Sequence, residues 1–202
     1  MIVSKVWMLR GALAAVALSV MNVHAAEEAP TPATMQMSTA SFTDGGDAPE
    51  KHTCLAKNPV SPGFTWIDPP TSTVSYVLMF HVPDVHPKKG KDDSFHWAVW
   101  NIPGTARAIP EGLPAKSPLP DGSQQTVNSE GHIGYAPMCG RPGKKLHYMF
   151  ELFALDTKLD LPANPSRDQI MNAMDGHIVG KNMYIGRFSK PGKLAPVAAS
   201  SF

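Results

Sequence analysis

Charge is scarce in this chain. Only 17% of its 202 residues are Asp, Glu, Lys or Arg, against about a quarter in an ordinary soluble protein. The two signs nearly cancel, with 18 basic and 17 acidic side chains. That excludes a broadly basic nucleic-acid binder and an acidic disordered tail, while a local basic patch stays compatible. Cysteine is limited to two residues. A two-Cys zinc site would need His partners at ligand spacing, and none flank either cysteine. No apolar run reaches the roughly twenty residues a membrane helix needs. Catalytic signatures are missing too: there is no Gly-x-Ser-x-Gly elbow, no His-Glu-x-x-His pair and no Gly-x-Gly-x-x-Gly turn. Gly140-Arg141-Pro142-Gly143-Lys144-Lys145 resembles a phosphate loop in composition only. It lacks the four-residue spacing and the final Ser or Thr, and it feeds a strand rather than a helix. No enzyme and no cofactor are expected.

Proline and glycine are plentiful, at 20 and 16 residues, which favours short strands joined by long ordered loops. Residues 1–25 read as a secretory signal, with Lys5 and Arg10 ahead of an apolar run, Gly11 to Val20, and Val23-His24-Ala25 as cleavage site. Its removal leaves 16 basic against 17 acidic side chains. The mature chain is expected in the periplasm or outside the cell, with no transmembrane segment. Residues 26–40 read as a flexible leader, 41–190 as one domain and 191–202 as a tail. In an oxidising compartment Cys54 and Cys139 can pair across about 85 residues. Two separately buried thiols are the alternative.

Three stretches have strand character. Val74 to Val82 is apolar nearly throughout, as in a strand covered on both faces. Phe95 to Ile102 alternates and ends at Pro103-Gly104. Leu146 to Leu155 is the third, and a short final strand is expected at Met183 to Phe188. One helix is expected after Ser166, which with Gln169 forms a capping-box pattern. Ile170, Met171 and Met174 share a face of it, and Gly176 ends it. The long connections Asp84 to Ser94, Pro103 to Ile133 and Ala136 to Lys145 are candidate functional surfaces.

The blocks Phe42-Thr43-Asp44-Gly45-Gly46, His52-Thr53-Cys54, Asn58 to Trp66, Pro83-Asp84, His96-Trp97-Ala98-Val99-Trp100-Asn101-Ile102-Pro103, Tyr148 to Asp156 and Gly176-His177-Ile178 occur in fixed order. Together they resemble the phosphatidylethanolamine-binding protein family in its secreted bacterial branch, from about Phe42 to Phe188. The resemblance implies a mainly β fold, an antiparallel β-sandwich with a few small peripheral helices. It also implies a shallow pocket for phosphate-type anions or phospholipid head groups. Carried over residue by residue, the pocket keeps His96 and Tyr148, and the expected site adds neighbouring Asp84, Met138 of the wall turn and Arg141 as a substitute cation.

Several positions depart from that pattern. Val82 stands where the family has the first Asp of Asp-Pro-Asp. Leu146 replaces a pocket His, and His147 stands at the following Arg. Met138 and Gly140 replace prolines of the wall turn, and Val85-His86 replaces an Ala-Pro pair. Losing one charged donor to an anion costs about 1.5–3 kcal/mol, roughly 10–150-fold in affinity. The expected function is therefore weak, non-enzymatic binding of a small anion or head group in an altered pocket. On strand alternation His147 points away from Leu146 and Tyr148 and does not replace the lost His. The alternative is a protein-interaction module of the protease-inhibitor or regulator type with a vestigial pocket. A third reading is copper binding through His81, His86, His96, His147 and methionine, although these follow no recurrent ligand spacing.

Overall fold

The computed structural model describes residues 34–193. The expected export signal and residues 26–33 of the expected leader lie outside the described residues. Within them the chain runs β1 (Gln36–Ser38), β2 (Gly46–Asp47), β3 (Phe64–Ile67), β4 (Ser75–Val82), β5 (Ser94–Pro103), β6 (Ala108–Ile109), β7 (Gln124–Gln125) and β8 (Leu146–Leu155). Helix α1 (Arg167–Met174) and strand β9 (Ile178–Phe188) complete it.

β4 shows why the layers form. Its sequence is apolar at both odd and even positions, and every residue in it is at most 4% exposed. Tyr76, Leu78, Phe80 and Val82 face a core shared with Phe64 and Trp66 of β3. Val77 and Met79 face a second core with Trp100, Phe153 and Leu155, closed by Ile170 and Met174 of α1. Each such side chain buried stabilises by about 1.5–3 kcal/mol, which fixes the register of β4 from both faces. The larger sheet has the order β2-β9-β8-β4-β5-β7. Its pairs are antiparallel except β2–β9. The smaller antiparallel sheet, β1-β3-β6, covers one face. The result is the mainly β sandwich with a peripheral helix that the sequence suggests.

The capping box forms: Ser166 Oγ accepts from the Gln169 N–H, and Gln169 Oε1 accepts from the Ser166 N–H. Three expectations need correction. The leader does not extend to residue 40, because β1 pairs with β3 and both Met35 and Met37 are buried. The final strand is eleven residues long, because β9 pairs with β8 along its whole length. The connection Pro103 to Ile133, expected as one long loop between strands, is internally paired. It holds β6 and β7, and buried Gln125 accepts from Trp97 Nε1 and donates to the Pro114 and Lys116 carbonyls.

Cys54 and Cys139 are bonded, with Cα atoms 5.3 Å apart. The link ties the Glu50–His52 turn to the Pro137–Arg141 turn, where Cys54 N–H donates to Met138 O and Met138 N–H to His52 O. Closing a loop this long is worth up to about 4–5 kcal/mol.

Candidate functional site

β5 carries two irregularities, and each falls on a residue of the His-Trp…Asn-Ile-Pro block. β4 pairs Phe80 with Trp97 and His81 with Phe95, so His96 is an extra, unpaired residue. Phe95 packs in the helix-side core and Trp97 in the inter-sheet core. Strict alternation would send His96 to the helix side. The bulge instead puts it beside Trp97, and bulges re-aim side chains in this way. Its ring then meets Phe80 at 5.1 Å and Tyr148 at 6.2 Å, edge to face in both cases. The second irregularity is at Asn101, whose φ is 56°. Its side chain exchanges two hydrogen bonds with the Leu159 backbone. Asn101 is therefore a structural clamp that tolerates a left-handed backbone.

Tyr148 comes from β8, where alternation places Leu146, Tyr148 and Phe150 on the inter-sheet side. Tyr148 is 1% exposed. Burial pushes its phenol up to about 12, opposed by the Cys139 backbone and helped by the charge of Asp84. The Pro137–Arg141 turn lies directly on this ring. A Cβ added to Gly140 would stand 3.3 Å from Tyr148 Oη and 3.1 Å from the Phe188 carbonyl. Only the absent side chain lets the backbone approach so closely. Burial also depresses His96, to about 4, with nearby His81 adding to the fall and the Ala136 backbone opposing it. His96 Nδ1 is buried and has no hydrogen-bond partner among the described residues. At neutral pH the ring pair is an uncharged imidazole beside an uncharged phenol.

Outside this pair opens a cleft of about 220 Å³, lined by Asp84, Val85, His86, Arg141, Lys144 and Leu146. Leu146 links the two regions, since its Cδ1 approaches the same Gly140 wall as Tyr148. Among the described residues Asp84 makes no hydrogen bond to either ring, although its charge acts on Tyr148. It accepts from the His147 backbone N–H at 2.6 Å and lies 3.0 Å from His147 Nδ1. His147 is exposed and faces away from Leu146 and Tyr148, as alternation requires. Among the described residues Arg141 and Lys144 take part in no ion pair, so the cleft keeps two free cations against one committed carboxylate.

Of the five residues assigned to the pocket, the structure brings His96 and Tyr148 together as rings and Asp84 and Arg141 together in the cleft. Met138 belongs to neither. It is fully buried in the inter-sheet core, where its Cε would lie 3.4 Å from a Cβ at Gly186. Its position in the wall turn suggests a lining residue, but its side chain packs into the inter-sheet core. Lys144 and His86 also line the cleft; Lys144 is not among the expected ligand groups, and His86 enters the sequence reading only as a copper ligand. Their signal was a pair of Pro/Gly-rich loops bearing Lys and His at both rims. The four histidines of the copper reading occupy separate settings: His81 with Asp93 and Glu151, His86 in the cleft, His96 in the ring pair and His147 on Asp84. Among the described residues no group of three or more His, Cys, Asp or Glu is arranged to hold a metal.

Comparison with known proteins agrees with this architecture. The family model of phosphatidylethanolamine-binding protein matches residues 38–189. A UPF0098 protein of Methanothermobacter thermautotrophicus is 36% identical over 157 residues, covering 77% of this chain and 99% of the relative. A UPF0098 protein of Chlamydia trachomatis is 33% identical over 161 residues, with 77% and 99% covered. A crystal structure described as a phosphatidylethanolamine-binding protein homologue from Chlamydia trachomatis superposes with a TM-score of 0.68 at 32% identity, over 78% of this chain and 98% of that one. An Escherichia coli structure, described as a member of the mammalian family, has a TM-score of 0.67 at 23% identity, covering 78% and 99%, and shares the fold. With its sandwich, its wall turn and its match along nearly all described residues, the chain belongs to the phosphatidylethanolamine-binding protein family.

Proposed function

We propose that this protein is an exported, non-enzymatic binding protein for a small phosphate-type anion or phospholipid head group, held weakly in the outer cleft. The observation that carries this reading is the pair of unpaired cations, Arg141 and Lys144, facing a cleft whose carboxylate is already engaged by His147. An anion there gains charge-assisted hydrogen bonds and a positive local potential. The ring pair behind the Gly140 wall supplies neutral donors, and the unpartnered Nδ1 of His96 favours a ligand or water that can satisfy it. The cleft is open and both cations are exposed, which fits weak binding. Export is supported by the Cys54–Cys139 bond, since such bonds persist in oxidising compartments. No side chain of the cleft is a nucleophile held by a base, which favours binding over catalysis.

The test is a titration with inorganic phosphate and with phosphoethanolamine, followed by NMR of the Arg141, Lys144 and His96 side chains. Millimolar binding is expected, with the Arg141 signals moving more than those of His96. Exchanging both cations (Arg141→Ala with Lys144→Ala) should weaken it by roughly tenfold or more. A response of equal size in the doubly exchanged protein, or silence at tens of millimolar phosphate, overturns the assignment.

A further inference from the structure

The bulge that aims His96 has a second histidine on its other side. His81 is 4% exposed and its partners lie in the helix-side layer. Its Nδ1 donates to Asp93 Oδ2 at 2.6 Å, and its Nε2 stands 3.1 Å from Glu151 Oε2 of β8, an ion-pair contact that is not a hydrogen bond. Asp93 precedes β5, and Arg167 of α1 lies 3.6 Å from its other oxygen. Lys181 of β9 lies 2.6 Å from Glu151 Oε1. A neutral imidazole has one N–H and one lone pair, so it can satisfy only one of two flanking carboxylates. The other carboxylate would then face a lone pair at close range in a dry layer, a costly arrangement. Placement between two carboxylates therefore selects the imidazolium. Without it the cluster holds two anions and two cations; with it, the cluster carries one net positive charge directly behind His96.

We propose that His81, held as an imidazolium between Asp93 and Glu151, positions His96 at their shared bulge and adds its charge to the burial that keeps the His96 ring neutral, so that the anion site works through dipoles and the Arg141 and Lys144 charges. His81 fixes the bulge because its backbone pairs with Phe95 while its side chain ties β4 to the segment entering β5 and to β8. The titration behaviour agrees. Burial lowers His81, but Glu151 and Asp93 outweigh it and raise it overall. His81 in turn is the largest charge acting on His96. Among the described residues the titratable ring packed against His96 is the phenol of Tyr148, raised by burial and uncharged at neutral pH. Among the described residues His96 is in no ion pair with a carboxylate. His81 is thus a positioning residue that need not touch ligand.

The test reads ring-nitrogen NMR of the ligand-free protein, so it stands or fails separately from anion binding, on whose reading only the functional consequence rests. In the unaltered protein, His81 should be doubly protonated at pH 5 to 6 while His96 stays neutral until the pH nears 4. In His81→Gln the His96 midpoint should rise toward 6.5 by about half a pH unit or more. A companion, His81→Gln with Glu151→Gln, removes the stranded carboxylate and should show the same rise. A neutral His81 at pH 6, or an unchanged His96 midpoint in either folded variant, overturns the proposal. If neither variant folds, the protonation state of His81 in the unaltered protein decides it. Phosphate affinity adds a further arm: it should be insensitive to His96 between pH 6 and 8, and in the variants any tightening on acidification should begin at a higher pH than in the unaltered protein.

Discussion

Leu146 shows what one side chain does to this site. It is 6% exposed, lines the cleft and touches the wall turn that also covers Tyr148. A leucine gives an anion neither a donor nor a charge, so on the proposed reading an anion in the cleft would depend on exposed Arg141 and Lys144. Leu146→His should therefore restore a switchable donor. Phosphate should bind roughly tenfold more tightly at pH 5.5 than at pH 8 in this variant, a wider ratio than in the unaltered protein. The burial of a polar ring should cost about 1–2 kcal/mol of stability. Calorimetric titration at the two pH values checks the first expectation and urea unfolding the second. An affinity ratio equal to that of the unaltered protein would place the anion away from Leu146.

Elements were legible where periodicity and burial agree. β8 matches its sequence bounds because its inter-sheet face is covered along its length and its other face is covered from Glu151 to Leu155. α1 was legible from its ends, and its capping bonds form as the residue spacing requires. Ser166→Ala should lower stability by about 1 kcal/mol, read by thermal or urea unfolding. Asp93 should keep its contact with Arg167 if the helix itself survives. What periodicity could not reveal is the aim of His96. Counting along β5 places it on the helix side, and one extra residue in the ladder puts it on the pocket side. The buried ion cluster left a fainter trace. Polar His81 and Glu151 stand within strands that are otherwise apolar, and buried charges of that kind must be paired.

For the whole molecule, the buried titratable groups predict a stability maximum. His96 is held near 4 when folded and titrates near 6.5 when unfolded. As pH falls from 6.5 toward 4, the unfolded chain takes a proton that the folded chain refuses, and stability drops by up to about 3 kcal/mol. His52, lowered by burial, acts in the same direction. On the acid side Glu151 adds little until lower pH. His81 and Lys181 overcome its burial and hold it at about 2, so its contribution is complete above 4.5 and is lost as pH falls through 2. His81 is raised, so its contribution is complete below 6.5 and is lost as pH rises through its folded value. Urea unfolding free energies should therefore peak between about pH 6 and 7 and decline on both sides. In His81→Gln the alkaline decline should flatten. A curve that keeps the same alkaline decline would show that His81 is not the group responsible.

Sequence alone determined the layer that is fixed by local pattern: the doubly covered strands, the capped helix, the ordered blocks that mark the family, and the side of β8 on which Tyr148 and His147 fall. These depend on alternation, helical period and turn residues, all of which are written within a few neighbouring positions. Tertiary packing decided the rest. It closed the Cys54–Cys139 bond, drew Met37 into the small sheet and buried Met138. It also separated the ring pair from the cationic cleft and set His81 between carboxylates from a loop and another strand. Each of these turns on the approach of residues distant along the chain, and one bulged residue or one missing Cβ was enough to change which groups meet.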